Sequence, residues 1–142
     1  MLTGYIGSEP FLNTVMKVVK KLKHYNPNLI YVCDPVLGDN LPGMYVPEGL
    51  IPIYKNEVLK IASILTPYSF EAQILTGIEI KTLNDAVLAC DKLHDMGVGI
   101  VVITSLECYR GFVTMVASKL KKSEENNSSN KYHLSLPYIR GH

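Results

Sequence analysis

Six oxygen-bearing side chains stand just past apolar runs in this 142-residue sequence. Asp34 and Asp39 lie in the stretch VCDPVLGDN, which takes over from the run 29–33. Thr66 and Glu71 follow the run 61–65, and Thr104 and Ser105 follow the run 100–103. If those runs are neighbouring strands of one parallel sheet, their exits open on a single edge, and the crevice beyond strand carboxyl ends is where open α/β sheets bind ligands. Oxygen donors of this kind suit a hard cation such as magnesium, which takes few carboxylates and keeps its waters and substrate phosphates. The hydroxyls of Thr104 and Ser105 can donate to a phosphate or complete a monovalent-cation shell. Each residue alone has an ordinary reason to be where it is: Asp, Pro and Gly end strands, Glu71 favours the positive end of a helix, and Ser105 can cap a turn. Those reasons do not predict the alignment of all six on consecutive exits.

The elements that must hold them can be read from spacing. Ser8 as N-cap and Pro10 in the first turn open a helix whose apolar period runs through Phe11, Val15, Val18 and Leu22, flanked by Leu12, Met16 and Val19. Pro27 predicts its end near Tyr25. Residues 29–33 form a buried strand. A second helix begins near Pro47, which suits a first helical position, and runs through Leu50, Ile53 and Tyr54 towards Ile61. Residues 61–65 give the next strand, closed by Thr66-Pro67, and helical spacing resumes with Phe70, Ile74 and Leu75 up to Gly77. Thr82 with Asp85 makes a capping-box pattern. The helix it opens carries Leu83, Ala86, Val87, Cys90, Leu93 and Met96 on its apolar face, and Gly97 ends it. Residues 100–103 are a strand rich in β-branched side chains. Strand and helix thus alternate, which predicts an α/β fold with parallel pairing. The pattern changes beyond that point: residues 112–117 and 132–136 read as an antiparallel pair, and the polar stretch 119–131 as a flexible loop between them. No strand is expected before the TGY segment at residues 3–5 and no closing helix after Arg140-Gly141-His142, so both ends read as cut from a larger α/β unit.

Composition excludes several classes of function. With 47% hydrophobic and 19% charged residues the chain is of ordinary globular type. A formal charge of +1 gives no broad footprint for nucleic acid. The cluster Lys17, Lys20, Lys21 and Lys23 reads as a solvated helix face near a helix C-terminus. Cys33, Cys90 and Cys108 have no CxxC spacing and leave one thiol over in any disulfide scheme, which predicts reduced, intracellular cysteines without a zinc site. No apolar run approaches the roughly 20 residues that span a bilayer, so no membrane partner and a cytosolic location are expected. There is neither a GxxxxGK[ST] nor a GxGxxG, which argues against a P-loop and a dinucleotide dehydrogenase. His24, His94 and His133 read as surface or packing residues.

The series LTGYIGSEPFL, NPNLIYVCDPVLGDN, GMYVPEGLIPIYK, ILTPYSFEAQILTG and VVITS closely resembles the pyridoxal kinases of the ribokinase-like superfamily, from Thr3 to about Gly141. The resemblance implies a Rossmann-like three-layer α/β/α sandwich, of which residues 1–142 are the central part of a single domain. It implies transfer of the γ-phosphate of ATP to the 5′-hydroxymethyl group of pyridoxal, pyridoxine or pyridoxamine. It also implies magnesium or another divalent cation, a monovalent cation (K+ or Na+), and a homodimer in the complete family member. Position by position, Asp34 corresponds to the acid that organises the cation site, with Thr66 and Thr104 in the monovalent shell. Asp39 and Glu71 correspond to residues at the metal-ATP phosphates, and Thr104 and Ser105 to the hydroxyl pair that meets the nucleotide. Tyr5 resembles the aromatic that faces the pyridine ring, and Tyr45 the tyrosine of the loop that closes over the substrate, where closure excludes water.

Two departures accompany the likeness. Where the family has TPN, this chain has Thr66-Pro67-Tyr68, a phenol in place of an amide. The family's GTGD segment, whose glycines form an anion hole and whose Asp is the catalytic base, is expected beyond His142, so no catalytic base is assigned and the chain by itself is expected to lack turnover. Two other readings fit the same residues: a hydroxymethylpyrimidine kinase-like relative, and a non-catalytic isoform or fragment acting as a binding or dimerisation partner.

Overall fold

The computed structural model describes residues 1–109, 111–121 and 128–138. Its main sheet has six strands in the order β1-β2-β5-β6-β7-β8. These are β1 (Leu2–Thr3), β2 (Val32–Cys33), β5 (Ile64–Leu65), β6 (Ile100–Tyr109), β7 (Phe112–Lys121) and β8 (Ser128–Pro137). The first four run parallel and the last two pairings are antiparallel. Strands β3 (Gly38–Asp39) and β4 (Gly43–Met44) make a separate hairpin that starts in the VCDPVLGDN stretch and ends just beyond it. The mostly parallel α/β sheet with antiparallel strands at its end is the expected class.

Helix α1 (Glu9–Tyr25) links β1 to β2, and Asn26 ends it in extended geometry just before Pro27. Its buried stripe is Leu12, Met16 and Val19, spaced i, i+4, i+7, while Phe11, Val18 and Leu22 are exposed. The expected apolar face was therefore rotated: two overlapping stripes share this helix, and packing against the sheet selected the flanking one. Between β2 and β5 the chain makes α2 (Leu50–Ile53), a π-helical turn Tyr54–Val58, and α3 (Leu59–Ile61). Helix begins at Leu50 and not at Pro47, whose carbonyl instead closes a turn onto the Leu50 N–H at 3.1 Å. Ile61 belongs to α3, so the strand after it is shorter than the run 61–65.

Helix α4 (Ser69–Thr76) ends at Gly77, which takes the left-handed φ of 77° that favours glycine. Helix α5 (Leu83–Asp95) starts on the expected capping box: Thr82 Oγ1 accepts the Asp85 N–H at 3.2 Å and Asp85 Oδ2 accepts the Thr82 N–H at 2.8 Å. His94, on the last turn, is a packing histidine as expected. Its Nδ1–H donates to the Val98 carbonyl at 2.8 Å, and its Nε2 accepts from the Ser118 hydroxyl at 2.8 Å.

Three expectations change. A short strand, β1, lies at the start of the TGY segment. Strand β6 runs on through Thr104 and Ser105, where a break in register between Ile103 and Leu106 kinks it. The 119–131 loop shrinks from both sides, because β7 reaches Lys121 and β8 begins at Ser128, with residues 122–127 outside those described. Paired strands satisfy backbone N–H and C=O groups that a polar loop would leave to water, so the hydrophilic side chains did not prevent pairing.

The layering follows from the connections. The crossovers from β1 to β2, β2 to β5 and β5 to β6 step the same way across the sheet, and right-handed connections that step the same way lie on one face. Burial agrees: Cys33, Leu65, Val101, Ile103 and Val116 join one core with the helices, whereas Val32, Ile64, Val102 and Met115, which alternate with them, are half-buried. The described residues thus supply the sheet and one helical layer of the expected α/β architecture.

Candidate functional site

The exits of β1, β2 and β5 are level, with Thr3 opposite Cys33 and Cys33 opposite Leu65. The ladder continues one residue further: the Asp34 N–H donates to the Thr3 carbonyl at 2.9 Å and the Thr66 N–H to the Cys33 carbonyl at 3.0 Å. Asp34 and Thr66 therefore stand side by side on one edge. A half-buried hydroxyl pair lies beside it, Thr3 Oγ1 with the Tyr31 hydroxyl at 2.9 Å. Beneath it, burial raises the Cys33 thiol to about 11, so it stays protonated and inert.

Glu71 lies in the first turn of α4 and is 3% exposed. Its Oε1 accepts the Leu37 N–H at 2.9 Å and its Oε2 accepts the Tyr68 N–H at 2.8 Å. One carboxylate thus joins the VCDPVLGDN turn to the start of α4. Burial pushes this carboxyl above its usual range, the N–H bonds from Tyr68 and Leu37 oppose the rise, and the Asp34 charge adds to it. Burial raises Asp34 as well. Two acids whose negative charge the fold does not fully compensate are chemically suited to a divalent cation. Among the described residues no three His, Cys, Asp or Glu side chains gather as a metal-ligand group. An ion held here would complete its shell from hydroxyls, waters or phosphates, which is the habit of magnesium.

Asp39 sits on the β3–β4 hairpin, where its Oδ1 accepts the Asn40 N–H at 2.7 Å. Gly38 is obligatory in that hairpin, since a Cβ there would run into the Gly43 carbonyl. Across the cleft, Tyr68 and Thr104 form a parallel bridge, and the Thr104 N–H donates to the Pro67 carbonyl at 2.9 Å. Ser105 follows with φ at 58°, a left-handed conformation that costs a non-glycine residue about 1–2 kcal/mol. Strained backbone of this kind gathers at functional sites.

Asp39 and Ser105 line one cleft of about 480 Å³, together with Asn40, Tyr68, Ser69 and Lys81. The structure brings these two predicted residues together there; Asp34, Thr66, Glu71 and Thr104 do not line it. Tyr5 and Tyr45 are exposed and do not line it either. The Tyr5 hydroxyl lies over Gly7, and Tyr45 follows β4 with its N–H donating to the Leu37 carbonyl at 2.8 Å. The Glu9 carboxylate, at the start of α1, abuts Gly49. Sequence reasoning missed Asn40, Ser69 and Lys81. Asn40 adjoins Asp39, Ser69 lies two residues before Glu71 at the start of α4, and Lys81 immediately precedes the Thr82 cap, so position beside recognised motifs was the available signal.

Residues 2–132 match the family model described as Phosphomethylpyrimidine kinase. The pyridoxal kinase of Dictyostelium discoideum is 48% identical over 138 residues, covering 96% of this chain and 45% of that protein. The pyridoxal kinase of Homo sapiens is 50% identical over 108 residues, covering 74% of this chain and 35% of its own length. The solved pyridoxal kinase from Leishmania donovani in complex with ADP and pyridoxamine superposes with a TM-score of 0.88 at 29% identity, over 99% of this chain and 48% of that one. The chain spans less than half the length of the curated relatives it matches. No helix among the described residues is long and apolar enough to cross a membrane. Shared sequence over nearly all of its length and a shared fold together show that this chain belongs to the pyridoxal kinase family.

Proposed function

We propose that this chain carries the nucleotide and cation side of an ATP-dependent pyridoxal kinase, which phosphorylates the 5′-hydroxymethyl group of a vitamin B6 vitamer. The observation that carries the reading is the meeting of Asp39 and Ser105 in one polar cleft at the sheet edge where Asp34 and Thr66 emerge. Phosphoryl transfer asks a protein mainly to position the reactants and to stabilise charge on the phosphates. In this reading Asp39 and the Ser105 hydroxyl face the metal-bound phosphates, Thr104 and Thr66 contribute to a monovalent-cation shell of K+ or Na+, and Asp34 organises the cation site. Glu71 holds the turn and α4 in register through its two N–H bonds and presents its remaining lone pairs to the cation's waters. Magnesium, if bound here with the nucleotide, would supply charge neutralisation at the phosphates. Tyr5 stacks on the pyridine ring, and Tyr45 closes over it to exclude water that would compete as acceptor. A homodimer and a cytosolic location belong to the same reading, supported by the family membership.

Calorimetric titration with ATP, with and without Mg2+, tests it. Binding that requires Mg2+ and weakens about tenfold or more in Asp39→Ala is expected. A chain that binds no ATP in the presence of Mg2+ overturns the reading.

A further inference from the structure

We propose that Lys81 is the phosphate-steering cation of the cleft, a positioning residue that gives preference to nucleotides carrying more than one phosphate; this rests on the nucleotide-kinase reading above. Among the described residues that line the cleft, Lys81 is the only basic one, set with Asp39, Asn40, Tyr68, Ser69 and Ser105. A polyphosphate brings several negative charges into a space that already contains the Asp39 carboxylate, so a cation on the lining decides whether it enters.

The fold holds the backbone of Lys81 and leaves its side chain exposed. The Lys81 N–H donates to Asp85 Oδ2 at 3.1 Å, and the same oxygen accepts the Thr82 N–H and the Thr82 hydroxyl, both at 2.8 Å. One residue earlier, the Ile80 N–H donates to Gln73 Oε1 at 2.7 Å, which ties the loop back to α4. Among the described residues the ammonium pairs with Glu79 Oε1, at 2.8 Å, through side chains that are 72% and 71% exposed. Exposed pairs of this kind contribute little to stability and are screened by salt. A multiply charged phosphate in the cleft competes with Glu79 for the same ammonium, and lysine serves as a mobile point charge for phosphate. Glu79 thus acts as a placeholder that keeps the side chain near the cleft.

The test is titration of the chain with Mg-ATP, ADP and AMP in wild type, Lys81→Ala and Lys81→Arg. Alanine should weaken ATP and ADP by about five- to tenfold and leave AMP within about twofold, arginine should restore most of the loss, and raising the salt should narrow the gap between wild type and alanine. Thermal melting should be equal in all three, because the side chain is exposed. Equal ATP affinity in Lys81→Ala, an equal loss for AMP, or failure of arginine to restore binding overturns the role of Lys81 while leaving the kinase reading in place. A wild-type chain that binds no nucleotide overturns both.

Discussion

Glu71 shows how much one side chain can carry. Its two oxygens accept the N–H groups of Leu37 and Tyr68. Glu71→Ala removes the acceptor of the buried Leu37 N–H and of the part-buried Tyr68 N–H, which costs about 2–4 kcal/mol of stability. Glu71→Gln keeps one carbonyl oxygen and should lose about half as much. Chemical denaturation of the two variants checks both, and the ordering matters more than the size: if alanine is no worse than glutamine, the clamp is not what holds the turn to α4. The sequence offered Glu71 as a phosphate-side acid and as a helix-terminus acid. Geometry shows it bonding to the helix start in the second way while bridging to a turn thirty-four residues away, a contact that local spacing cannot reveal. Ser105 is the opposite case, since its hydroxyl was legible and its left-handed backbone was not.

At the scale of elements, the parts governed by local chemistry were read well. The Thr82–Asp85 box, the Gly77 stop and the end of α1 before Pro27 stand where the residues put them. What depends on partners was read less well. Which stripe of α1 is buried is decided by the sheet, and the lengths of β6, β7 and β8 are decided by their mutual ladders. The β3–β4 hairpin was seen only as a turn, because two-residue strands have no periodicity to detect. It places Asp39, so its geometry is testable through the site. Gly38→Ala forces the hairpin apart at the Gly43 carbonyl. Destabilisation of about 1–3 kcal/mol is expected, as for other overpacked sites, with ATP affinity falling together with it. Binding unchanged in that variant would show that the hairpin does not set the position of Asp39.

At the scale of the molecule, the raised carboxyls of Asp34 and Glu71 link charge to stability. A carboxyl whose folded value lies above its unfolded value contributes stability that is fully present below the unfolded value and is lost as pH rises through the folded one. Both groups therefore disfavour the folded chain at neutral pH relative to mild acid. Asp34→Asn removes one charge and relieves the other, so it should raise the melting temperature at pH 7 to 8, with the gain fading as pH falls towards 4. A gain independent of pH would rule out this linkage. The same substitution should weaken Mg2+-dependent nucleotide binding, which separates the site's function from its cost to the fold.

The sheet also has a side that the described residues do not cover. Val32, Ile64, Val102 and Met115 lie half-buried along it, with Ile30 and Leu2 exposed beside the β1 edge. Its consequence is colloidal. An apolar face bordered by an unpaired strand is self-adhesive, so the isolated chain should associate in a concentration-dependent way that a mild non-ionic detergent reverses. Light scattering across a dilution series, with and without detergent, reads this directly, and a chain that stays monodisperse throughout would show that this face is protected in solution.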